Sequence, residues 1–229
     1  MVGVTGVKVC GITELDDARL AAELGAWAIG LIFAPSPRQV DVADAERIGR
    51  ELSRKLEVVG VFVNAPLDEV AAMADVAHLT AVQLHGDEGP AYAREVARRT
   101  GAKVIKAIQA KDTAAVRRLT AFHTDFHMLD TYRPGQRGGT GETFEWDYVR
   151  HHTRHVPLIL SGGLNPDNVA EAIAATHPFA VDSASGTEAS PGKKDPAKVQ
   201  ALFRAVEQAD APEPEPLSTV HRPLSTDPR

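Results

Sequence analysis

The sequence has almost no cysteine, since Cys10 is the only one among 229 residues. One thiol cannot form an intrachain disulfide or supply a multi-cysteine metal site, and this indicates a reducing compartment. Long apolar runs are also missing: the runs present extend over five to eight residues, whereas a membrane span needs roughly 20. The N-terminus has no basic segment ahead of an apolar one and does not resemble a signal peptide. These absences predict a cytoplasmic protein that does not interact with membranes.

Concentrated charge is absent from most of the chain. The net charge is −6 and no basic block is present, which argues against nucleic acid as a partner.

The chain end, DAPEPEPLSTVHRPLSTDPR, has five prolines in 20 residues and too few apolar residues to offset the entropy of ordering. We therefore predict one folded domain over residues 1–209 and a disordered tail without a catalytic role over residues 210–229.

Eight short apolar runs, each followed by a segment of helical pattern, organise the rest of the chain. Their ends recur about every 25 residues, as expected for one buried parallel strand and one helix per repeat. Eight repeats predict an α/β fold of the (β/α)8 TIM-barrel type; the alternative, a doubly wound open sheet, usually needs fewer strands. The predicted strands lie in residues 7–11, 26–33, 58–64, 81–86, 103–109, 126–131, 157–163 and 179–186.

Capping residues predict where several helices begin. Thr13 is a candidate N-cap for the first helix and Asp41 for the second. Asn165, followed by Pro166, marks the predicted start of a later helix.

Two features suggest chemistry that the pattern does not otherwise support. Lys106 could form a Schiff base, but it lies in the middle of the fifth predicted strand. His151, His152 and His155 have a zinc-like spacing, but they precede the seventh strand and no carboxylate motif accompanies them. We interpret these histidines as the surface end of a helix.

The active site of such a barrel lies at the C-terminal ends of the strands. Gly162 and Gly163 follow the seventh strand, and the small-residue turn 184–186 follows the eighth and is expected to open a short helix. Backbone N–H groups in these two turns could approach a phosphate closely, so the turns predict a phosphate site. The stretch 138–144, GGTGETF, has Glu142 where a nucleotide-binding P-loop has lysine, and we expect a mobile loop over the site instead.

Eight ordered motifs resemble the phosphoribosylanthranilate isomerase family. They span residues 7 to about 205 and are VKVCGIT (7–13), SPR (36–38), VGVFVN (59–64), VQLHGDE (82–88), LDT (129–131), GGTGETFEW (138–146), LSGGLNPDNV (160–169) and VDSASGTEASPGKKD (181–195). The resemblance implies an isomerase of tryptophan biosynthesis on a (β/α)8 barrel. It implies an Amadori rearrangement of N-(5-phosphoribosyl)anthranilate to 1-(o-carboxyphenylamino)-1-deoxyribulose 5-phosphate, with no metal and no organic cofactor.

The resemblance also assigns roles to individual residues. Cys10 matches the general base, Asp130 the general acid, and Arg38 the arginine that contacts the anthranilate carboxylate. Gln83 and His85 end the fourth strand, and substrate contact and core hydrogen bonding are equal alternatives for both. The residues that match the phosphate-binding loops are Gly162, Gly163, Asp182, Ser183, Ser185 and Gly186.

Two positions depart from the family pattern. Ala184 replaces a common serine, which removes one hydroxyl contact to phosphate, and Glu145 stands where aspartate is usual. Neither position belongs to the acid–base pair.

The implied reaction needs two proton transfers. An acid protonates the ribose ring oxygen, and a base then removes a proton from the carbon next to the resulting iminium ion. Cys10 can act as a base only as a thiolate, so its pKa has to fall or to shift on binding. Asp130 has to carry its proton when it acts. Strands one and six are three steps apart around a ring of eight, so their ends can flank one substrate.

Two rival functions share parts of this pattern. The related isomerase of histidine biosynthesis performs the same rearrangement on another phosphoribosyl compound, but it has aspartate where this chain has Cys10. It also has phosphate sites in both half-barrels, whereas this chain has the glycine pair only in the second half. A non-catalytic phosphosugar-binding barrel would need neither Cys10 nor Asp130.

Overall fold

The structure is a computed structural model that describes residues 4–130, 147–153 and 155–211. Eight parallel strands form a closed barrel in chain order, with β8 paired to β1, which confirms the predicted (β/α)8 barrel. The strands are β1 (Gly6–Cys10), β2 (Ala28–Ile32), β3 (Glu57–Phe62), β4 (Ala81–Leu84), β5 (Lys103–Gln109), β6 (Phe126–Asp130), β7 (Leu158–Ser161) and β8 (Ala180–Ser183).

Helices cover the outside of the barrel. In the described ranges they are α1 (Leu15–Glu23), α2 (Val42–Leu52), α3 (Leu67–Val76), α4 (Pro90–Thr100), α5 (Thr113–Arg118), α6 (Val169–Thr176) and α7 (Pro196–Asp210). After β8, a 3-10 turn (Ser185–Thr187) leads into a small antiparallel hairpin of β9 (Glu188–Ser190) and β10 (Lys193–Lys194). None of the helices described here has the length and apolar character that crossing a bilayer requires.

Each barrel strand is buried on both faces. Alternate residues fill the barrel interior, and the residues between them pack against the helices. This two-sided burial explains why the strands appear in the sequence as continuous apolar runs. The residues of the interior cluster are Ala28, Val59, Ala81, Ile105, Ala107, Met128, Ile159 and Ala180. The next inward-facing side chains, two residues closer to the C-terminal end of each strand, lie above this cluster.

The capping predictions had different outcomes. Asp41 caps α2, because its carboxylate accepts a hydrogen bond from the backbone N–H of Ala43 at 2.8 Å. The prediction for Thr13 is wrong: its hydroxyl donates to the Gly192 carbonyl at 2.5 Å, a partner 179 residues away, and α1 begins at Leu15 without a side-chain cap. The Thr13 hydroxyl thus forms a tertiary hydrogen bond and does not cap the helix.

The start predicted for the later helix is also displaced. Asn165 and Pro166 begin a turn, in which the Asn165 side chain accepts a hydrogen bond from the Asp167 N–H at 2.8 Å. Helix α6 itself begins at Val169. An asparagine and a proline that open a turn leave the same local signal as a helix start.

The surface interpretation of the histidine run is wrong for one member. His152 is buried against β6, and its Nε2 lies 2.9 Å from His127 Nδ1, while His151 and His155 are exposed. His127 Nε2 donates to the Phe122 carbonyl at 3.1 Å, so Nδ1 accepts from His152. Burial lowers the pKa of His127. Within the described residues, no three His, Cys, Asp or Glu side chains are grouped as metal ligands.

The C-terminal end of helix α7 contacts the first described residues of the chain. The Asp210 carboxylate accepts hydrogen bonds from the Thr5 backbone N–H at 2.6 Å and from the Thr5 hydroxyl at 2.8 Å. Asp210, the first residue of the predicted tail, is therefore part of the folded unit. Most of that tail, and the mobile loop expected at 138–144, lie outside the described residues, so the domain boundary, the disordered tail and the mobile loop stay predictions.

Candidate active site

The C-terminal strand ends carry the polar side chains of the site. Cys10 is the last residue of β1 and Asp130 the last of β6. Both side chains face the barrel interior, because the residues before them belong to the outer cluster. Asp130 pairs in register with Ser161 of β7. The structure therefore places the predicted base and acid at the same end of the barrel, three strands apart around the ring.

A buried ion pair beside Cys10 was missed by the sequence analysis. Lys8 is fully buried, and its Nζ donates to the Asp182 carboxylate at 2.6 Å across the β1–β8 seam. The other Asp182 oxygen accepts from the Ser161 hydroxyl at 2.9 Å. The signal in the sequence was the period of two in a strand, which puts Lys8 and Cys10 on one face. Asp182 is thus held by the barrel interior, although the family resemblance placed it in a phosphate loop.

Opposing effects act on the Cys10 thiol. Burial raises its pKa, the ammonium groups of Lys8 and Lys194 lower it, and the Asp182 carboxylate raises it; the net result is a raised pKa. Burial alone would lower the pKa of Lys8, but Asp182 and Cys10 outweigh burial and raise it. Cys10 is therefore protonated at neutral pH in the ligand-free protein. The expected fall in its pKa does not occur without a ligand, so a shift on binding is the alternative that fits.

Gly30 of β2 provides the space for this arrangement. A Cβ on Gly30 would stand 2.7 Å from Cys10 Sγ, closer than nonbonded carbon and sulfur atoms approach, and in tight contact with Lys8 Nζ at 3.1 Å. Only glycine leaves both side chains where they lie.

Replacing Gly30 by alanine should therefore displace Cys10. We expect Gly30→Ala to lower kcat by about tenfold or more, because misplacing a reacting group is costly, and to destabilise the fold by about 1–3 kcal/mol through overpacking. Gly89→Ala is the matched control, since a Cβ there meets nothing within 4 Å. Steady-state kinetics and urea unfolding measure both effects; equal kcat values for the two variants would contradict the prediction.

Arg38, on the loop after β2, is held by a residue that the sequence analysis did not single out. Its guanidinium binds the Glu188 carboxylate with Nε–Oε1 and Nη2–Oε2 distances of 2.8 Å each. Lys194 Nζ lies 3.4 Å from the same carboxylate and donates to the Cys10 carbonyl at 2.6 Å. The β9–β10 hairpin therefore connects the loop after β2 to the end of β1. No local pattern could link positions 38 and 188.

Gln83 and His85 lie next to the predicted acid. Gln83 Nε2 lies 2.9 Å from His85 Nδ1, and His85 Nε2 lies 3.5 Å from Asp130 Oδ2. With the amide N–H donating to Nδ1, the ring proton is on Nε2 and faces Asp130. Gln83 is buried, and its Oε1 has no hydrogen-bond partner among the described residues. Gln83 and His85 thus belong to one polar chain that includes Asp130.

The turns predicted to bind phosphate contain two glycines with positive φ. Gly162 and Gly163 adopt φ values of 112° and 74°, which favour glycine. The expected short helix is present as the 3-10 turn Ser185–Thr187, and Ser185 is exposed. These two turns are adjacent because β7 pairs with β8.

Two residues of the predicted phosphate set join the turns to each other instead. The Ser183 hydroxyl is buried and donates to the Leu164 carbonyl at 2.7 Å. A Cβ on Gly186 would stand 2.1 Å from that same carbonyl oxygen. The Ser183 hydroxyl proton is therefore already used within the protein, whereas Ser185 is exposed.

Lys106 is excluded as a Schiff-base residue by its orientation. It alternates with the interior residues Ile105 and Ala107, so it faces the helical layer, where it is buried. Its Nζ binds Glu88 at 2.8 Å and the Gly86 carbonyl at 2.7 Å. It stabilises the loop after β4 and does not face the barrel interior.

Comparison with known proteins gives one consistent result. The family model described as N-(5′-phosphoribosyl)anthranilate (PRA) isomerase matches residues 7–205. The N-(5′-phosphoribosyl)anthranilate isomerase of Citrifermentans bemidjiense is 47% identical over 201 residues, which cover 87% of this chain and 96% of that protein.

Solved structures agree with this result. The phosphoribosyl anthranilate isomerase of Thermotoga maritima superimposes with a TM-score of 0.78 at 40% identity, covering 89% of this chain and 99% of that one. A phosphoribosyl anthranilate isomerase in complex with reduced 1-(o-carboxyphenylamino)-1-deoxyribulose 5-phosphate gives a TM-score of 0.76 at 38% identity, with the same coverage.

Proposed function

The chain belongs to the N-(5′-phosphoribosyl)anthranilate isomerase family, and we propose that it converts N-(5-phosphoribosyl)anthranilate to 1-(o-carboxyphenylamino)-1-deoxyribulose 5-phosphate by acid–base catalysis. The activity is that of the family, an isomerisation of tryptophan biosynthesis. The observation that carries the mechanism is the position of Cys10 and Asp130 at the same end of the barrel, at the ends of strands three steps apart.

Three binding elements fit the three parts of this substrate. The turns around Gly163 and Gly186 offer backbone donors for the phosphate, in the second half-barrel. Arg38 offers a guanidinium for the anthranilate carboxylate. The ribose then spans the space between Cys10 and Asp130. That a family member binds a reduced form of the product supports this substrate class.

Each proton transfer has a group to perform it. Asp130 gives its proton to the ribose ring oxygen, the ring C–O bond breaks, and an iminium ion forms. Cys10, as thiolate, removes the proton from the adjacent carbon, and the resulting enolamine tautomerises to the ketone. The positive iminium charge favours the thiolate, and Lys8 and Lys194 act in the same direction. His85 lies where it can hold the Asp130 carboxylate.

A fluorimetric assay tests the function. N-(5-phosphoribosyl)anthranilate is generated in situ, the protein is added, and consumption of the substrate fluorescence is followed. The phosphoribosyl substrate of the histidine-pathway isomerase is assayed in parallel. Turnover of the anthranilate substrate is expected; turnover of the histidine-pathway substrate alone would assign the rival function, and binding without turnover would assign a phosphosugar-binding protein.

The reactivity of the Cys10 thiol should rise with pH. Because burial raises the pKa of Cys10, the thiolate fraction of the free enzyme grows throughout the neutral range. The thiolate is the form that an alkylating agent attacks, so we expect the rate of alkylation of the free enzyme by iodoacetamide to increase from about pH 6 to about pH 9. A Cys10→Ser variant should not be alkylated at this position. A rate that stays flat over the same range would contradict a thiol that is protonated at neutral pH.

A cytoplasmic location and the absence of nucleic-acid partners belong to this proposal. The composition supports both, since the chain has one cysteine and a net charge of −6 without a basic block.

A further inference from the structure

The Glu188 carboxylate is buried in a cluster with Arg38 and Lys194, which we call the Arg38–Glu188–Lys194 cluster. The Glu188 side chain is 4% exposed, and it also accepts a hydrogen bond from the Gly192 N–H at 3.3 Å. Burial alone would raise its pKa, but the Arg38 hydrogen bonds and the Lys194 charge outweigh burial and lower it. Glu188 is therefore ionised at neutral pH. Arg38 and Lys194 thus both contact this one carboxylate, while burial lowers the pKa of Lys194.

Glu188 occupies only one edge of the Arg38 guanidinium. A guanidinium has five N–H donors and can bind one carboxylate through Nε and Nη2 and another through Nη1 and Nη2. Glu188 takes the first edge, with distances of 2.8 to 3.0 Å. Among the described residues no acceptor contacts Nη1, and the Arg38 side chain is 24% exposed. The second edge is available to an external carboxylate.

The path of the Arg38 side chain is fixed by its surroundings. It crosses the end of β1 over Gly11, where a Cβ would stand 2.9 Å from Arg38 Cδ and where φ is +75°. The neighbouring residue in the chain is Cys10, whose carbonyl accepts from Lys194. The guanidinium is therefore held at the end of the strand that carries the predicted base.

We propose that Glu188 is a positioning residue for substrate recognition: it turns the free edge of the Arg38 guanidinium toward the site and so makes the protein selective for a substrate whose aromatic ring carries a carboxylate. This inference rests on the proposed function. Glu188 contacts no substrate itself; it acts through Arg38. Without it, a flexible arginine would have to be ordered by each binding event, at a cost in affinity.

Two stable probes separate this role from general stability. One is reduced 1-(o-carboxyphenylamino)-1-deoxyribulose 5-phosphate, and the other is the same molecule with phenylamino in place of o-carboxyphenylamino. Calorimetry with the full chain gives the ratio of their Kd values. We expect the wild-type protein to prefer the carboxylate probe by about tenfold or more, and Glu188→Gln to lose most of this preference while binding the phenylamino probe within about threefold of wild type.

Kinetics and controls complete the test. For Glu188→Gln we expect KM for the anthranilate substrate to rise about tenfold, with kcat within about threefold. Glu57→Gln is the matched control, because Glu57 pairs with Lys103 at the opposite end of the barrel, and it should leave the preference unchanged. Glu188→Asp keeps the charge and should retain an intermediate preference, and it serves as the test variant if Glu188→Gln does not fold.

Each outcome has a defined meaning. Equal weakening of both probes by Glu188→Gln, or an unchanged preference, would overturn the positioning role. In an Arg38→Met background, Glu188→Gln should have no further effect on the preference; an additional loss would show that Glu188 acts independently of Arg38. Failure of the wild-type protein to turn over the anthranilate substrate would instead count against the proposed function.

Discussion

The Cys10→Ala variant is expected to lose about two to four orders of magnitude in kcat, the range that general acid–base catalysis contributes. No second thiol can compensate, because Cys10 is the only cysteine. Binding should be preserved, since phosphate and carboxylate recognition depend on other residues. Steady-state kinetics by the fluorescence assay give kcat, and calorimetry with the reduced product gives Kd.

Two further variants separate loss of the base from loss of packing. Cys10→Ser keeps the size of the side chain but has a hydroxyl that hardly ionises, so it should be nearly as inactive as Cys10→Ala. Asp130→Asn should cause a loss of similar size, because an amide cannot supply the proton. If Cys10→Ser kept kcat within about fivefold of wild type, a thiolate base would be refuted and the pocket around Cys10 would have only a packing role.

The Lys8→Met variant is expected to be strongly destabilised. It leaves Asp182 as a buried charge without its cation, and breaking a buried pair in this way typically costs about 3–5 kcal/mol. Both partners are almost inaccessible, with 0% and 6% of their side chains exposed, so solvent cannot replace the lost interaction. Urea unfolding monitored by circular dichroism measures the change in the free energy of unfolding.

A double variant and a chemical probe test the cause. Lys8→Met combined with Asp182→Asn removes both charges and should be more stable than Lys8→Met alone, because no unpaired carboxylate is left. Lys8 lowers the pKa of Cys10, so alkylation of the only thiol should require a higher pH in Lys8→Met than in wild type. Equal stabilities of the single and double variants would refute the ion-pair explanation.

Much of the fold could be predicted because its signal is local. Parallel strands covered on both sides give continuous apolar runs, and the run 103–109 coincides with β5. The spacing of eight such runs fixed the number of repeats and hence the barrel. Asp41 was predictable as a cap for the same reason, since its hydrogen bond spans only two residues.

What escaped prediction depends on long-range contact between charges. Lys8 and Glu188 are charged, and charged residues are expected at the surface unless they are paired; their partners Asp182 and Arg38 lie 174 and 150 residues away. His152 also escaped prediction because of a tertiary contact: its burial against His127 follows from packing and not from the pattern of its neighbours. The proposed acid–base pair, Cys10 and Asp130, was identified only through the family motifs, because a lone cysteine at a strand end is equally compatible with simple packing.

The Lys8–Asp182 pair also bears on how the barrel can fold. The two residues lie 174 positions apart in the chain and meet only where β1 pairs with β8. A partly folded barrel without β8 would bury an ammonium group that has no counter-ion, which is costly. Closure of the β1–β8 seam supplies that counter-ion, so we expect the barrel interior to become complete only when its first and last strands meet.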